Sequence, residues 1–241
     1  MSVFHAAAAV CGKCGTESHT ELAASVNADR RADLRAAILD GSFQALKCEK
    51  CGSALRLPAH LTYLDIGRGQ WFLVESAEML PHWQETEQEA QIAYDLAFGT
   101  DAPEDAREIG AELKPRLVFG WPALREKLIA FELGVDDTTL ELLKMSVIAN
   151  VGEAPMADQT ELRLTAGDAE KLQFAWIASD TEHVLATLDV PREEYDAIED
   201  DADEWVVLKA ELSAHMFVDI QRALSGGEPR QTADMAGALG G

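Results

Sequence analysis

Residues 3–10 are almost entirely apolar, residues 18–26 mix β-capable with polar side chains, and a short cysteine turn separates the two runs. This order predicts strand, tight turn, strand. Leu34 and Ile38 then recur at helical spacing, with Asn27 and Asp29 placed as caps before them and Gly41 just past the end, which predicts a helix closing near Leu39. Residues 42–47, 54–57, 61–66 and 70–74 follow as strands, the last two joined by a Gly67-Arg68-Gly69 hairpin loop.

From Ala77 the period changes. Leu80, Trp83, Ala90, Tyr94 and Ala97 fall at spacings of three, four or their sum and stop at Gly99, the signature of an amphipathic helix. A shorter helical pattern covers residues 103–113, a strand covers 116–119, and Trp121-Pro122 opens a helix with Leu124, Leu128 and Phe131 on one face, ended by Gly134. Asp136 and Asp137 cap a further helix that carries Leu140, Leu143 and Val147 on one side. The pattern then returns to alternation around Leu162 and Leu164, around Leu172, Phe174 and Trp176, and over residues 183–190. A helical turn at 191–197, an ambiguous stretch at 205–208 and a short helix at 217–224 complete the series. Small and polar residues from 225 to 241 read as a disordered tail.

The chain therefore reads as α+β: a zinc-ribbon-like β domain with an inserted helix over residues 1–75, then an α+β region over 76–224 made of a helical segment and a small antiparallel β/α part. Charge divides it at the same place. Up to Glu75 there are eight basic and eight acidic residues, and 12 basic and 35 acidic follow, so the whole formal charge of -23 lies in the later part. An acidic body repels phosphate backbones and argues against nonspecific nucleic-acid binding. No apolar run approaches the roughly 20 residues that span a bilayer, and residues 6–10 are too short for a signal core, so a cytoplasmic setting with reduced thiols is expected.

Four cysteines change the picture most. Cys11 and Cys14 precede Gly15, and Cys48 and Cys51 precede Gly52. A Cys-x-x-Cys turn brings both sulfurs to one side, and the glycine after it supplies the left-handed backbone that closes the turn. Two such turns make four metal ligands. Four thiolates fill a tetrahedral Zn2+ shell at about 2.3 Å and leave no open position, so the expected role is structural. The same donors also suit iron, and a lone Cys-x-x-Cys after a strand would suit redox chemistry, but the second copy points to one shared ion. The 33 residues between the pairs exceed an ordinary ribbon loop, and the predicted helix accounts for the excess. Lys13, Lys47 and Lys50 lie in or beside the turns, where they offset the negative charge of a four-thiolate zinc site. His19 and His60 lie near in sequence and are expected to be ordinary histidines, since the thiols already complete the shell.

The ordered set Cys11-x-x-Cys14-Gly15, Ser25-Val26-Asn27-Ala28-Asp29, Ile38-Leu39-Asp40-Gly41-Ser42-Phe43, Cys48-x-x-Cys51-Gly52 and residues 61–65 resembles the CpXC domain family of bacterial proteins. Arg116-Leu117-Val118-Phe119, Leu124-Arg125-Glu126-Lys127-Leu128, Asp136-Asp137 with Glu141-Leu142-Leu143-Lys144, and Phe217-Val218-Asp219-Ile220 look like the region that follows the domain in longer members. Gly12 and Glu49 stand where the family pattern has proline, which stiffens the turn but donates no ligand. The resemblance implies a bacterial zinc-binding protein and carries no catalytic residue.

Among function classes, a metal-stapled protein-interaction or adaptor module fits these features best, with a protein partner and no membrane role. An enzyme would draw on Asp136, Asp137, Glu141 and Lys144, although an Asp pair before a helix is an ordinary cap and Glu141 with Lys144 an ordinary i, i+3 pair. The acidic run at 199–204 lacks the glycine and spacing of a calcium loop. Arg30, Arg31 and Arg35 could serve nucleic-acid binding, but Asp29 and Asp33 interleave with them and stacking aromatics are missing. The five tryptophans mostly take apolar-periodic positions and are expected in the core.

Overall fold

The computed structural model describes residues 1–151, 160–200 and 202–224, so the predicted tail at 225–241 lies outside the described residues. In chain order the first elements are β1 (Val3–Val10), β2 (Glu17–Asn27), α1 (Ala32–Leu39), β3 (Ala45–Lys47), β4 (Ala54–Arg56), β5 (Leu61–Asp65) and β6 (Gln70–Glu75). After them come α2 (Trp83–Phe98), α3 (Glu104–Ala111), β7 (Lys114–Phe119), α4 (Gly120–Glu132) and α5 (Asp137–Asn150). The last group is β8 (Thr160–Gly167), β9 (Lys171–Ala178), β10 (His183–Pro191), α6 (Arg192–Asp200), α7 (Ala202–Ser213) and α8 (Gln221–Leu224).

Five strands form one mixed sheet in the order β1-β2-β5-β6-β7. β1 with β2 and β5 with β6 are antiparallel hairpins, while β2 with β5 and β6 with β7 run parallel and need crossovers. The first crossover carries α1 and the small β3-β4 hairpin, and the second carries α2 and α3. The next strand of this sheet, β7, thus lies beyond the step in charge at Glu75. Between β5 and β6 the chain turns through a 3-10 turn, Ile66–Arg68, and Gly69 at φ 63°. A side chain there would press within 2.9 Å of the Glu112 carbonyl, so the turn needs glycine on two counts.

α4 lies over one face of this sheet. Leu124, Leu128 and Trp121 pack with Phe43, Tyr63, Phe72 and Val74 in one apolar cluster, and the Trp121 indole donates to the Leu57 carbonyl at 2.8 Å. Trp83, Leu117, Phe119 and Phe217 form a second cluster beside α2. A three-stranded antiparallel sheet, β10-β9-β8, packs with α5 and α6 through Leu140, Leu143, Leu164, Phe174 and Tyr195. Trp71, Trp83, Trp121 and Trp176 are buried, as their periodic positions predict.

Four local expectations fail for identifiable reasons. Asn27 and Asp29 do not cap α1. Asn27 ends β2 and its Oδ1 accepts from Arg30 N, while the Asp29 carboxylate accepts from Ile66 N and Gly67 N across the fold. The expected strand at 42–47 begins only at Ala45, because Phe43 turns inward to Trp121 and Gln44 takes φ 57°. Phe131 leaves the face shared by Leu124 and Leu128 and is 45% exposed. The final helix shortens to α8, because residues 217–220 run as an irregular segment whose backbone is held by side chains described below.

A four-cysteine centre and a buried charge network

Both cysteine turns have the same construction. Cys11 N donates to the Thr16 carbonyl and Gly15 N to the Cys11 carbonyl, at 2.9 and 2.8 Å. Cys48 N donates to Ser53 O and Gly52 N to Cys48 O, both at 2.8 Å. Gly15 and Gly52 take φ 70° and 71°, the left-handed conformation that the glycines predict. One turn ends β1 and the other ends β3, so the fold brings two hairpin tips together. Cys11 Sγ lies 3.6 Å from Cys51 Sγ, and Cys14 Sγ lies 3.6 Å from Cys48 Sγ. All four sulfurs fall within 4.8 Å of one another.

These distances decide between bonding modes. A disulfide needs about 2.05 Å. Four bonds of about 2.3 Å to a central ion place the sulfurs at the corners of a tetrahedron with edges near 3.8 Å, which the 3.6 Å pairs approach. The four cysteines can therefore hold one metal ion between them. Their surroundings favour thiolate at two corners. The Thr16 hydroxyl and backbone lower the Cys14 thiol, and those of Ser53 bring Cys51 down to about 6. Cys48 has the backbone N–H groups of Cys51 and Lys50 directed at it, yet burial and the sulfurs of Cys14 and Cys51 push it up to about 11. Thiolates crowded in this way repel one another, and a dication is the charge that lets all four ionise together. His19 is exposed, and His60 Nδ1 lies 2.8 Å from the Glu75 carboxylate.

A second assembly sits in the acidic body, and sequence reasoning caught only its edge. Glu126 on α4, Glu141 and Lys144 on α5 are all fully buried, and Arg163 on β8 is nearly so. Lys144 Nζ lies 3.0 Å from Glu126 and 2.9 Å from Glu141. Arg163 donates to Glu126 at 2.8 Å, to Glu161 at 2.6 Å, and to Asp219. The 217–220 segment is fixed by the same groups: Lys127 donates to Val218 O at 2.6 Å, and Ile220 N to Glu141 at 2.9 Å. Glu141 and Lys144 thus form the i, i+3 ion pair that their spacing suggested, but it is fully buried and tied to Glu126 as well.

The expected capping pair also divides its work. Asp136 is the cap of α5 and accepts from Thr138 N and Thr139 N, both at 3.0 Å. Asp137 instead takes Arg116 Nε at 2.7 Å, Lys114 Nζ at 2.6 Å and Lys127 Nζ at 3.3 Å. Burial works to raise the Asp137 pKa, but those three cations outweigh it and hold the carboxyl well below the usual range. Glu141 goes the other way. Burial, together with the Asp219 and Glu126 charges, overcomes Lys144 and pushes it up to about 7. The run at 199–204 ends α6 and enters α7, and its residue 201 lies outside the described residues. At the start of α1, Arg31 pairs with Asp33, and within the helix Arg35 pairs with Asp65.

A family model described as CpXC protein matches residues 9–144, more than half of the chain, and the chain belongs to that family. The match takes in all four cysteines, Glu126, Glu141 and Lys144; Arg163 and the 217–220 segment lie beyond it. No curated protein and no solved structure matches the chain.

Replacing Cys48 with Ser should abolish metal binding and unfold the two hairpin tips while the α4-α5-β8 body keeps its dispersed amide spectrum. Full retention of the β1-β2 amide pattern in a metal-free C48S protein would contradict the clamp. The buried network predicts a pH signature. Because the Glu141 pKa is raised to about 7 from an ordinary 4.5, the folded chain holds a proton that the unfolded chain releases. That contribution is present in full below about pH 4.5 and is lost as pH rises through 7. Asp137, held low, contributes above about pH 4 and loses its contribution in acid. Denaturant unfolding should therefore show stability falling from pH 5 to 8 by on the order of 1–3 kcal/mol, and Glu141→Gln should flatten that branch alone. An unchanged slope would remove Glu141 from the explanation.

Proposed function

We propose that the four cysteines hold one structural Zn2+, and that the metal-clamped hairpin presents β1 as a docking edge for another protein, making this chain an interaction or adaptor module. The observation that carries the reading is the state of the two edges of the large sheet. At one edge, β7 is covered: Leu117 N donates to Met216 O at 3.0 Å and Phe217 packs on Phe119. At the other, β1 pairs only with β2, and among the described residues no further backbone hydrogen bond reaches it.

The composition of β1 supports the same reading. Its eight residues, Val-Phe-His-Ala-Ala-Ala-Ala-Val, include no Lys, Glu, Asp, Arg or Pro, and Val3 and Val10 are 46% and 65% exposed. Sheet edges that must stay unpaired usually carry charge, proline or a bulge; the one irregularity here lies at the start of the strand, between Val3 and Phe4, and the pairing is regular from Phe4 to Val10. An uncharged open edge is the surface to which an extended segment adds a strand by main-chain hydrogen bonding, with small side chains leaving the approach clear. The metal belongs to this function mechanically. It ties the end of β1 to the β3-β4 hairpin. Four thiolates at this geometry suit zinc, and a shell closed by sulfur offers a substrate no position. The pairing of Arg31 and Arg35 with carboxylates weakens the cationic face that the nucleic-acid reading draws on.

Affinity capture from extracts of the native cell, comparing the intact chain with an Ala6→Lys, Ala8→Lys double variant, tests the edge. Both alanines are exposed, so fold and metal content should be retained while binding of the captured protein weakens at least about tenfold. Equal recovery of the same protein by the double variant would place the contact elsewhere.

A further inference from the structure

A cavity of about 300 Å³ opens where the start of β6 and β7 meets the α4-α5 turn. Its ionic lining is Arg68, Lys114, Arg116 and Lys127 against Asp136 and Asp137, four cations to two carboxylates, in a chain whose formal charge is -23. Asp137 already receives three of those cations. Asp136 shares Lys114 and spends one oxygen on the α5 cap. Arg68 bridges outward to Glu132 at 3.2 Å and to Asp65 at 3.6 Å, with its guanidinium 5.3 Å over the Phe131 ring.

Gln70 gives the cavity a second polar feature. Its side chain is 5% exposed, and its Oε1 is buried with no hydrogen-bond partner. A buried amide oxygen without a donor is disfavoured relative to a satisfied one, and a ligand that supplies the missing hydrogen removes that cost. Phe72 and Val135 make the adjacent wall apolar, and the half-exposed Phe131, which departs from the face its spacing predicts, stands at the rim with Arg68 and the half-exposed Lys114. The combination is an apolar slot with a few convergent polar groups, of the size that takes a small metabolite.

We propose that this cavity binds a small organic anion: its carboxylate or phosphate group sits between Lys114 and Arg68 at the mouth, and Gln70, whose Oε1 is sealed off without a ligand, turns its amide to accept a hydroxyl or amino hydrogen of the same molecule. The cations attract any anion, so they set affinity. The orphaned amide oxygen sets selectivity, because an otherwise identical ligand without the donor leaves it buried and unsatisfied. Apolar body and charged head then occupy the aromatic wall and the mouth together. The site is separate from the cysteine centre and from β1, and it uses no metal.

Matched probes test this on the full-length chain in its metal-loaded form. Phenyllactate against phenylpropanoate, and glycerol phosphate against propyl phosphate, differ within each pair in hydroxyl donors, and the two pairs distinguish a carboxylate head from a phosphate head. Binding is read by calorimetry and by the side-chain amide resonance of Gln70. The donor-bearing member of one pair should bind at least about tenfold more tightly than its partner. Lys114→Ala should weaken both members by a similar factor, and Gln70→Met should erase the difference within the pair while the protein's melting temperature stays close to that of the parent. Dissociation constants above about 1 mM for all four probes overturn the proposal. So does equal binding within both pairs, or binding that either substitution leaves unchanged.

Discussion

Closure of four sulfurs from two separate hairpin tips is the constraint on which the N-terminal architecture rests. The β3-β4 hairpin has only three paired positions on each strand, and a hairpin of that size does not hold itself together in water. Around the sulfurs the buried apolar side chains are few, with Ala9 and the cysteines Cys11 and Cys48 supplying most of what is inside. The thiols are therefore the core of this part of the molecule. A metal ion held by both tips would convert two marginal turns into one unit, and structural zinc supplies about 10 to 16 kcal/mol of apparent binding energy in small metal-binding domains.

The body is held differently. Apolar packing over Leu124, Leu128, Leu140 and Leu143 supplies the bulk of the driving force, as in any core of this size. Among these side chains lies a run of ions from Asp137 through Lys127, Glu141, Lys144, Glu126 and Arg163 to Asp219. Buried ion pairs contribute little net stability after desolvation, but removing one member leaves a charge without compensation. The consequence is geometric specificity: α4, α5, β8 and the 217–220 segment meet in one register, because any slide separates a buried charge from its partner. The same network reaches the cavity through Lys127 and Asp137, so the floor of that cavity is as fixed as the core.

How much of this could be read from the sequence follows from the range of each signal. The cysteine turns were legible because ligand spacing and the two glycines are local, and the conformations found at Gly15 and Gly52 are those the pattern requires. Strands and helices with clear periods, such as β6, β9 and α5, were legible for the same reason. Arg163 was not. Flanked by Leu162 and Leu164 it reads as the polar face of a half-exposed strand, but both faces of β8 are covered, and its partners Glu126 and Asp219 come from 37 residues before and 56 residues after. Asp29 misled for the complementary reason: it stands where a cap should be, and tertiary contacts with the β5-β6 turn claimed its carboxylate. Gln70 opens a strand, and nothing in its neighbours says that it lines a cavity with its amide oxygen buried and unpaired.

X-ray absorption at the zinc edge on the purified native chain bears most directly on the claim that the four cysteines form a closed structural metal site. One zinc per chain with four sulfur scatterers at about 2.3 Å and no nitrogen or oxygen neighbour is the predicted result. Zinc bound with a mixed or incomplete sulfur shell, or a folded native chain that carries no metal, would contradict it.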